Sequence, residues 1–213
     1  GRTHVTAEPA PRTIHDFRGF PQELYAMRYA APGSAELVAR ISALAGANRI
    51  APDTSWGFDH GAWGVVQPMF PAADIPMVAM SLDRSLDPAK HFALVRALAP
   101  LREEGLLIVG SGNVIHNLSL WRQVAGTQPD WALDFRARSN AAILSGDDAA
   151  LIDIAPGDRA AQLAINSGEH FLPLLYVLGA RLPGDGTALF NDTLDGALSM
   201  TSALIGDTGL LQS

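Results

Sequence analysis

Three segments of this 213-residue chain set a histidine beside glycines, acids or amides, each in a break between apolar runs. Residues 53–63, Asp-Thr-Ser-Trp-Gly-Phe-Asp-His-Gly-Ala-Trp, carry His60; residues 110–118, Gly-Ser-Gly-Asn-Val-Ile-His-Asn-Leu, carry His116; residues 168–176, Gly-Glu-His-Phe-Leu-Pro-Leu-Leu-Tyr, carry His170. A neutral imidazole nitrogen is a metal ligand, and with an unperturbed pKa of ~6.5 the same ring takes up or gives back a proton near neutral pH. The three lie too far apart for any local metal motif, so only a fold could assemble them. Each also has a plainer reading. His60, between Asp59 and Gly61, reads equally as a turn or capping residue, and His170, after Glu169, equally as a helix-entry residue. His116 points to function, because Gly-Ser-Gly lets a strand end turn sharply and present the next polar side chain at a sheet edge. His4, His15 and His91 read as surface or hydrogen-bonded side chains without a role.

Composition narrows the chemistry. The absence of cysteine removes disulfide scaffolds, thiolate zinc sites, iron–sulfur clusters and cysteine nucleophiles, so any metal rests on His, Asp or Glu. The single lysine, Lys90, sits in Pro-Ala-Lys-His, which excludes a Gly-Lys-Ser/Thr phosphate loop. With 15 basic and 22 acidic side chains, a net charge of −7 and scattered arginines, the chain lacks the basic footprint of a nucleic-acid binder. Gly110-Ser-Gly112 lacks the third glycine and later acid of a dinucleotide fingerprint, and neither Gly-x-Ser-x-Gly nor His-Glu-x-x-His occurs. No apolar run approaches the ~18 residues of a membrane span and no leader pattern is visible, so the expected location is the cytoplasm.

The elements that must position these histidines can be read from periodicity and punctuation. Residues 1–33, rich in Pro and Gly, read as an extended segment clamped by Phe17, Phe20, Tyr25 and Tyr29. Ser34 caps an amphipathic helix carrying Leu37, Val38, Ile41, Leu44 and Ala45, which Gly46 and Asn48 end. Residues 74–82 read as a buried strand, Asp87-Pro88 opens a helix with Phe92, Val95, Leu98 and Leu101 on one face, and Leu106–Val109 reads as a second buried strand. Together they predict a βαβ unit. Helical patterns follow from Asn117 to Leu151, broken at 126–129 and Gly146, and another helix starts near Glu169 with Pro173 in its first turn. Thr187–Phe190 and Ala197–Ile205 read as strands joined by Asn-Asp-Thr-Leu-Asp-Gly. The expected fold is α/β, and length predicts one domain over 1–213.

Five motifs in order, Asp16-Phe-Arg-Gly-Phe-Pro21, Phe58-Asp-His-Gly-Ala-Trp63, Phe70-Pro-Ala-Ala-Asp-Ile-Pro76, Gly110-Ser-Gly-Asn-Val-Ile-His-Asn-Leu118 and Glu169-His-Phe-Leu-Pro-Leu-Leu-Tyr176, resemble the class III extradiol ring-cleavage dioxygenases, in particular the 4,5-DOPA dioxygenase branch. The resemblance runs from about Asp16 to Ile205. It implies a LigB-type αβα sandwich with a mixed central sheet, and one non-haem Fe(II), or Zn(II) in its place. The implied reaction opens a catechol ring with O₂ to a muconic semialdehyde-type product. His170 then matches a metal ligand, His116 a histidine at the metal that is either a further ligand or the acid/base, and His60 a catalytic histidine lining the substrate pocket. Trp63 and Asn117 join His60 as substrate-side candidates. Asp59 and Asn117 are also candidates for fixing imidazole tautomers, and read equally as turn residues. Two further metal ligands are expected N-terminal to Gly1, in His-Gly and His-Trp contexts, and Asn166-Ser-Gly168 departs from the proline-bearing turn of the family. The implied partners are a small aromatic diol and O₂, with no nucleic acid or membrane; the sequence is compatible with a homo-oligomer. The competing reading is a non-catalytic metal-binding or interaction protein on the same fold, or a truncated and inactive dioxygenase. A zinc hydrolase on the same scaffold is a third.

Overall fold

The computed structural model describes residues 1–46 and 48–207; positions 208–213 of the expected domain lie outside the described residues. The chain divides into two compact units, Gly1–Ser85 and Leu86–Ser213.

In the first unit, β1 (Thr3–Thr6) pairs in parallel with β2 (Ile50–Asp53), from Thr3 opposite Ile50 to Thr6 opposite Asp53. Between them come α1 (Gln22–Ala26) and α2 (Ala35–Ala45). The Ser34 hydroxyl accepts from the Leu37 N–H, the expected cap, and α2 buries Val38, Ile41 and Ala45. A parallel pair needs such a crossover, so a β-α-β connection does form, but from strands at residues 3–6 and 50–53. The expected strands at 74–82 and 106–109 do not belong to it. Of 74–82, Met80 alone makes a bridge, antiparallel to Val5. α3 (His60–Met69) was not anticipated, because Gly61, Gly64 and Pro68 obscure its period. Its face toward Tyr29, Ala31 and Phe58 buries Trp63, and Phe17, Met27, Val66 and Met77 pack around this cluster. The aromatic clamp expected of residues 1–33 is therefore present in Phe17 and Tyr29, whereas Phe20 is largely exposed.

The second unit is mainly helical: α4 (Pro88–Arg96), a 3₁₀ turn at Ala99–Arg102, α5 (Leu118–Val124), α6 (Asp130–Ser145), α7 (Asp148–Ile152), α8 (Arg159–Ile165) and α9 (Leu172–Gly179). Asp87 caps α4 with Pro88 behind it, Gly146 closes α6 in the left-handed conformation, and Pro173 lies in the first turn of α9, all as the sequence predicts. Ile115, Phe135, Ile143, Leu175 and Leu178 form the centre of its core. β3 (Gly186–Phe190) pairs antiparallel with β6 (Ser202–Gly206), while β4 (Leu194–Asp195) pairs with β5 (Leu198–Ser199), so the second strand expected over 197–205 is split at 200–201. Arg102 ties the 3₁₀ turn to this region, donating to the Ala180 and Ile205 carbonyls and to the Asp185 carboxylate.

Residues 106–109 correct the sequence reading most clearly. They join no ladder among the described residues, and Leu107 and Val109 are 60% and 42% exposed. An apolar run becomes a buried strand only when a neighbour accepts its backbone hydrogen bonds. Among the described residues the strands form three two-stranded ladders, parallel in the first unit and antiparallel in the second. The fold is nonetheless α/β in content. No helix among the described residues is long and apolar enough to cross a membrane.

Candidate active site

The second unit brings His116 and His170 together. Their rings stack with centroids 3.4 Å apart and planes 15° from parallel. His116 is fixed through its backbone: its N–H donates to the Ala164 carbonyl at the end of α8, and it bridges antiparallel to Leu198. His170 stands in the turn just before α9, and its carbonyl accepts from the Asn113 N–H at 2.8 Å. The glycines of Gly110-Ser-Gly112 serve this approach. A Cβ on Gly112 would fall 2.1 Å from the His170 carbonyl oxygen, and one on Gly110 would fall 2.5 Å from that of Pro173. Backbone can run this close to the α9 entry only without side chains. The expected sharp turn is thus replaced by a flush backbone contact that places residues 113–116 beside His170.

Burial pushes the His116 imidazole below its usual pKa, opposed in part by the negative charge of Glu169. The neutral ring is therefore favoured, the form that binds a metal or accepts a proton. The sequence alone assigns Glu169 no role. The Ser167 hydroxyl, 2.7 Å away, holds its carboxyl below the usual range, and its charge acts on both His170 and His116.

Asn117 is spent on structure. Its side-chain oxygen caps α5 by accepting from the Leu120 N–H, and its amide donates to the Leu163 carbonyl at 2.9 Å. Both ends of a 7%-exposed side chain are engaged, which makes Asn117 an anchor for the loop bearing His116.

In the first unit His60 opens α3, with Asp59 as its N-cap accepting from the Ala62 N–H at 3.0 Å. Asp59 therefore fixes the helix and not an imidazole tautomer. That partner is Asp16, which received no role from sequence: its Oδ1 accepts from the ring Nδ1 of His60 at 2.7 Å and from the His60 backbone N–H at 3.1 Å. Partial burial pushes the Asp16 carboxyl up, and the two hydrogen bonds from His60 outweigh this and hold it below its usual value. Beside this pair lies a pocket of about 270 Å³ walled by Phe17, Phe20, Met27 and Trp63, with His60 and Gln67 as polar members. Trp63 is 4% exposed and donates its indole N–H to the Ile14 carbonyl, so it is a core residue that shows one face to the pocket. His15 belongs to the same aromatic cluster, 5.8 Å from Phe17 and from Trp63. His4 pairs with Asp53 and His91 with the Tyr176 hydroxyl, in keeping with a structural reading.

Two imidazoles beside a carboxylate suit Fe(II) or Zn(II) in donor type. They fall short in number: among the described residues no group of three or more His, Asp or Glu side chains converges to hold a metal ion.

Comparison with known proteins agrees with the five-motif resemblance. Residues 2–192 match the family model of the catalytic LigB subunit of aromatic ring-opening dioxygenases. The chain is 42% identical to a 4,5-DOPA dioxygenase extradiol of Escherichia coli, over 96% of this chain and 77% of that protein. It is 36% identical to a 4,5-DOPA dioxygenase extradiol of Beta vulgaris, over 87% of this chain and 70% of that protein. The crystal structure of an uncharacterized protein from Escherichia coli K12 superposes with a TM-score of 0.77 at 36% identity, covering 95% of this chain and 80% of the other. The match takes in both units and all three histidine segments: the chain belongs to the LigB family of class III extradiol ring-cleaving dioxygenases.

Proposed function

We propose that this protein is a non-haem Fe(II)-dependent dioxygenase that opens a catechol-type ring beside its hydroxyl pair, adding both atoms of O₂ to give a muconic semialdehyde-type product. The observation that carries the reading is the stacked His116–His170 pair beside the Glu169 charge, in a chain of this family. His170 and His116 would hold the metal, and a bound ferrous ion would supply open coordination positions for an O₂ chemistry in which the catechol is the electron donor.

The remaining roles fall to this chain's own groups. Burial favours the neutral His116 ring, whose bare nitrogen is the donor a metal requires. A catechol gives up its hydroxyl protons on binding, and His60 is the proton acceptor at the wall of the apolar pocket, where Phe17 and Trp63 offer ring faces and edges to an aromatic substrate. A volume near the lower end of the ~300–1,000 Å³ usual for small-molecule sites suits a single ring. Both compact units are read as parts of one catalytic domain, because the family model spans them, and the same reading expects their strands to belong to an αβα sandwich.

The test is oxygen uptake by ferrous-loaded protein on a panel of catechols, recorded with the absorbance of a yellow semialdehyde. Consumption of one O₂ per product supports the proposal. Full iron loading with neither signal would transfer the chain to the non-catalytic, metal-binding reading.

A further inference from the structure

We propose that Asp16 is the positioning residue for His60, locking its ring as the tautomer with the proton on Nδ1 so that Nε2 is the proton acceptor presented to the apolar pocket. A carboxylate can only accept hydrogen bonds, so the 2.7 Å contact from Nδ1 requires the proton to be there. The nitrogen left bare is then Nε2, and the tautomer of an imidazole is set by the bond its other nitrogen makes.

Asp16 holds more than the proton. The same Oδ1 accepts from the backbone N–H of His60, so ring and main chain are gripped by one atom. That N–H belongs to the first residue of α3, where the helix has no carbonyl to offer it. Asp59 satisfies the N–H of Ala62 in the same turn, which divides the work: Asp59 starts the helix and Asp16 orients its first side chain. Phe17, next to Asp16 in sequence, stands edge-on to the His60 ring at 5.7 Å and lines the pocket. The Asp16-Phe17 step thus sets both the direction of the ring and the wall beside it.

The inference rests on His60 as a proton-moving residue, yet its core is a tautomer that can be read without turnover. In zinc-loaded protein, ¹⁵N correlation spectra of the imidazole should show His60 of the wild type in the Nδ1–H form, and Asp16→Asn should lose that preference. With ferrous protein, Asp16→Asn should lower kcat for catechol cleavage by about 10- to 100-fold, the usual range for the partner that orients a working histidine, with KM little changed. Asp16→Glu should restore part of kcat and of the Nδ1–H preference, which a loss of folding would not. A wild-type His60 in the Nε2–H form, or an Asp16→Asn spectrum identical to wild type, overturns the inference while leaving ring cleavage intact. A lost tautomer with unchanged kcat removes the positioning role. Failure of the wild type to cleave any catechol falls on the proposed function instead, and the spectra still decide the tautomer.

Discussion

His60 and His116 are imidazoles in opposite settings. His60 is half exposed, its Nδ1 hydrogen-bonded to an ionised carboxylate, and it sits on a helix N-terminus whose local stability owes little to it. His116 lies against His170, is kept neutral by partial burial, and is carried on a backbone bond to α8 and a bridge to β5. A carboxylate partner fixes a proton on one nitrogen; desolvation instead keeps the ring free of a second proton. The first arrangement makes an oriented base, the second a neutral ligand. One side chain type is thus prepared for two tasks by its surroundings alone.

If the settings differ in this way, substitutions should separate them. The largest effect is expected from His116→Ala and His170→Ala, each lowering kcat by at least the ~10²–10⁴-fold typical of losing an acid/base residue, because a metal donor is lost. His60→Ala should sit at the lower end of that range and leave metal content unchanged, as measured by elemental analysis. Next comes Gly112→Ala. Its Cβ would meet the His170 carbonyl at 2.1 Å, and relief by backbone movement should destabilise the protein by about 1–3 kcal/mol in denaturant titration and reduce activity. Asp16→Asn should cost less than about 1 kcal/mol of stability, since both partners are more than 40% exposed, and should show its effect in kcat. Equal losses of stability in these two variants would break the comparison.

The smallest expected effect is one of pH. The folded-state pKa of His116 is depressed, so between its unfolded value of ~6.5 and its lower folded value the unfolded chain binds the extra proton, and stability falls as pH drops through this window. Asp16, depressed for a carboxylate, keeps its contribution throughout, losing it only as pH falls through its own folded pKa. Thermal melts of metal-free protein at pH 7.5 and 5.5 should therefore show a larger loss for wild type than for His116→Asn.

What the sequence made legible was local. Ser34 and Asp87 announced their helices because a cap and its N–H partner lie three residues apart, and the His116 and His170 segments stood out through their glycines and breaks in apolarity. Asp16 stayed hidden because its partner is 44 residues away, and nothing in Asp-Phe-Arg says which backbone will meet it. Asp59 and Asn117 were candidates for holding an imidazole, yet an Asx side chain directly before a helix meets its own N–H groups first. The run at 106–109 reads as a buried strand from apolarity alone, and apolarity does not supply the neighbouring backbone that makes a strand; the run at 74–82 meets β1 only around Met80. The helix at 60–69 was missed for the reverse reason: two glycines and a proline mask a period that burial of Trp63 and the Asp59 cap sustain.

The central claim is that the metal is held by His116 and His170, with His60 reserved for the proton. X-ray absorption at the iron edge, counting imidazole ligands in ferrous-loaded wild type and in the three His→Ala variants, tests it most directly. The account predicts one imidazole fewer in His116→Ala and in His170→Ala, and an unchanged count in His60→Ala. A lost imidazole in His60→Ala, or a full count in either of the other two, would contradict it.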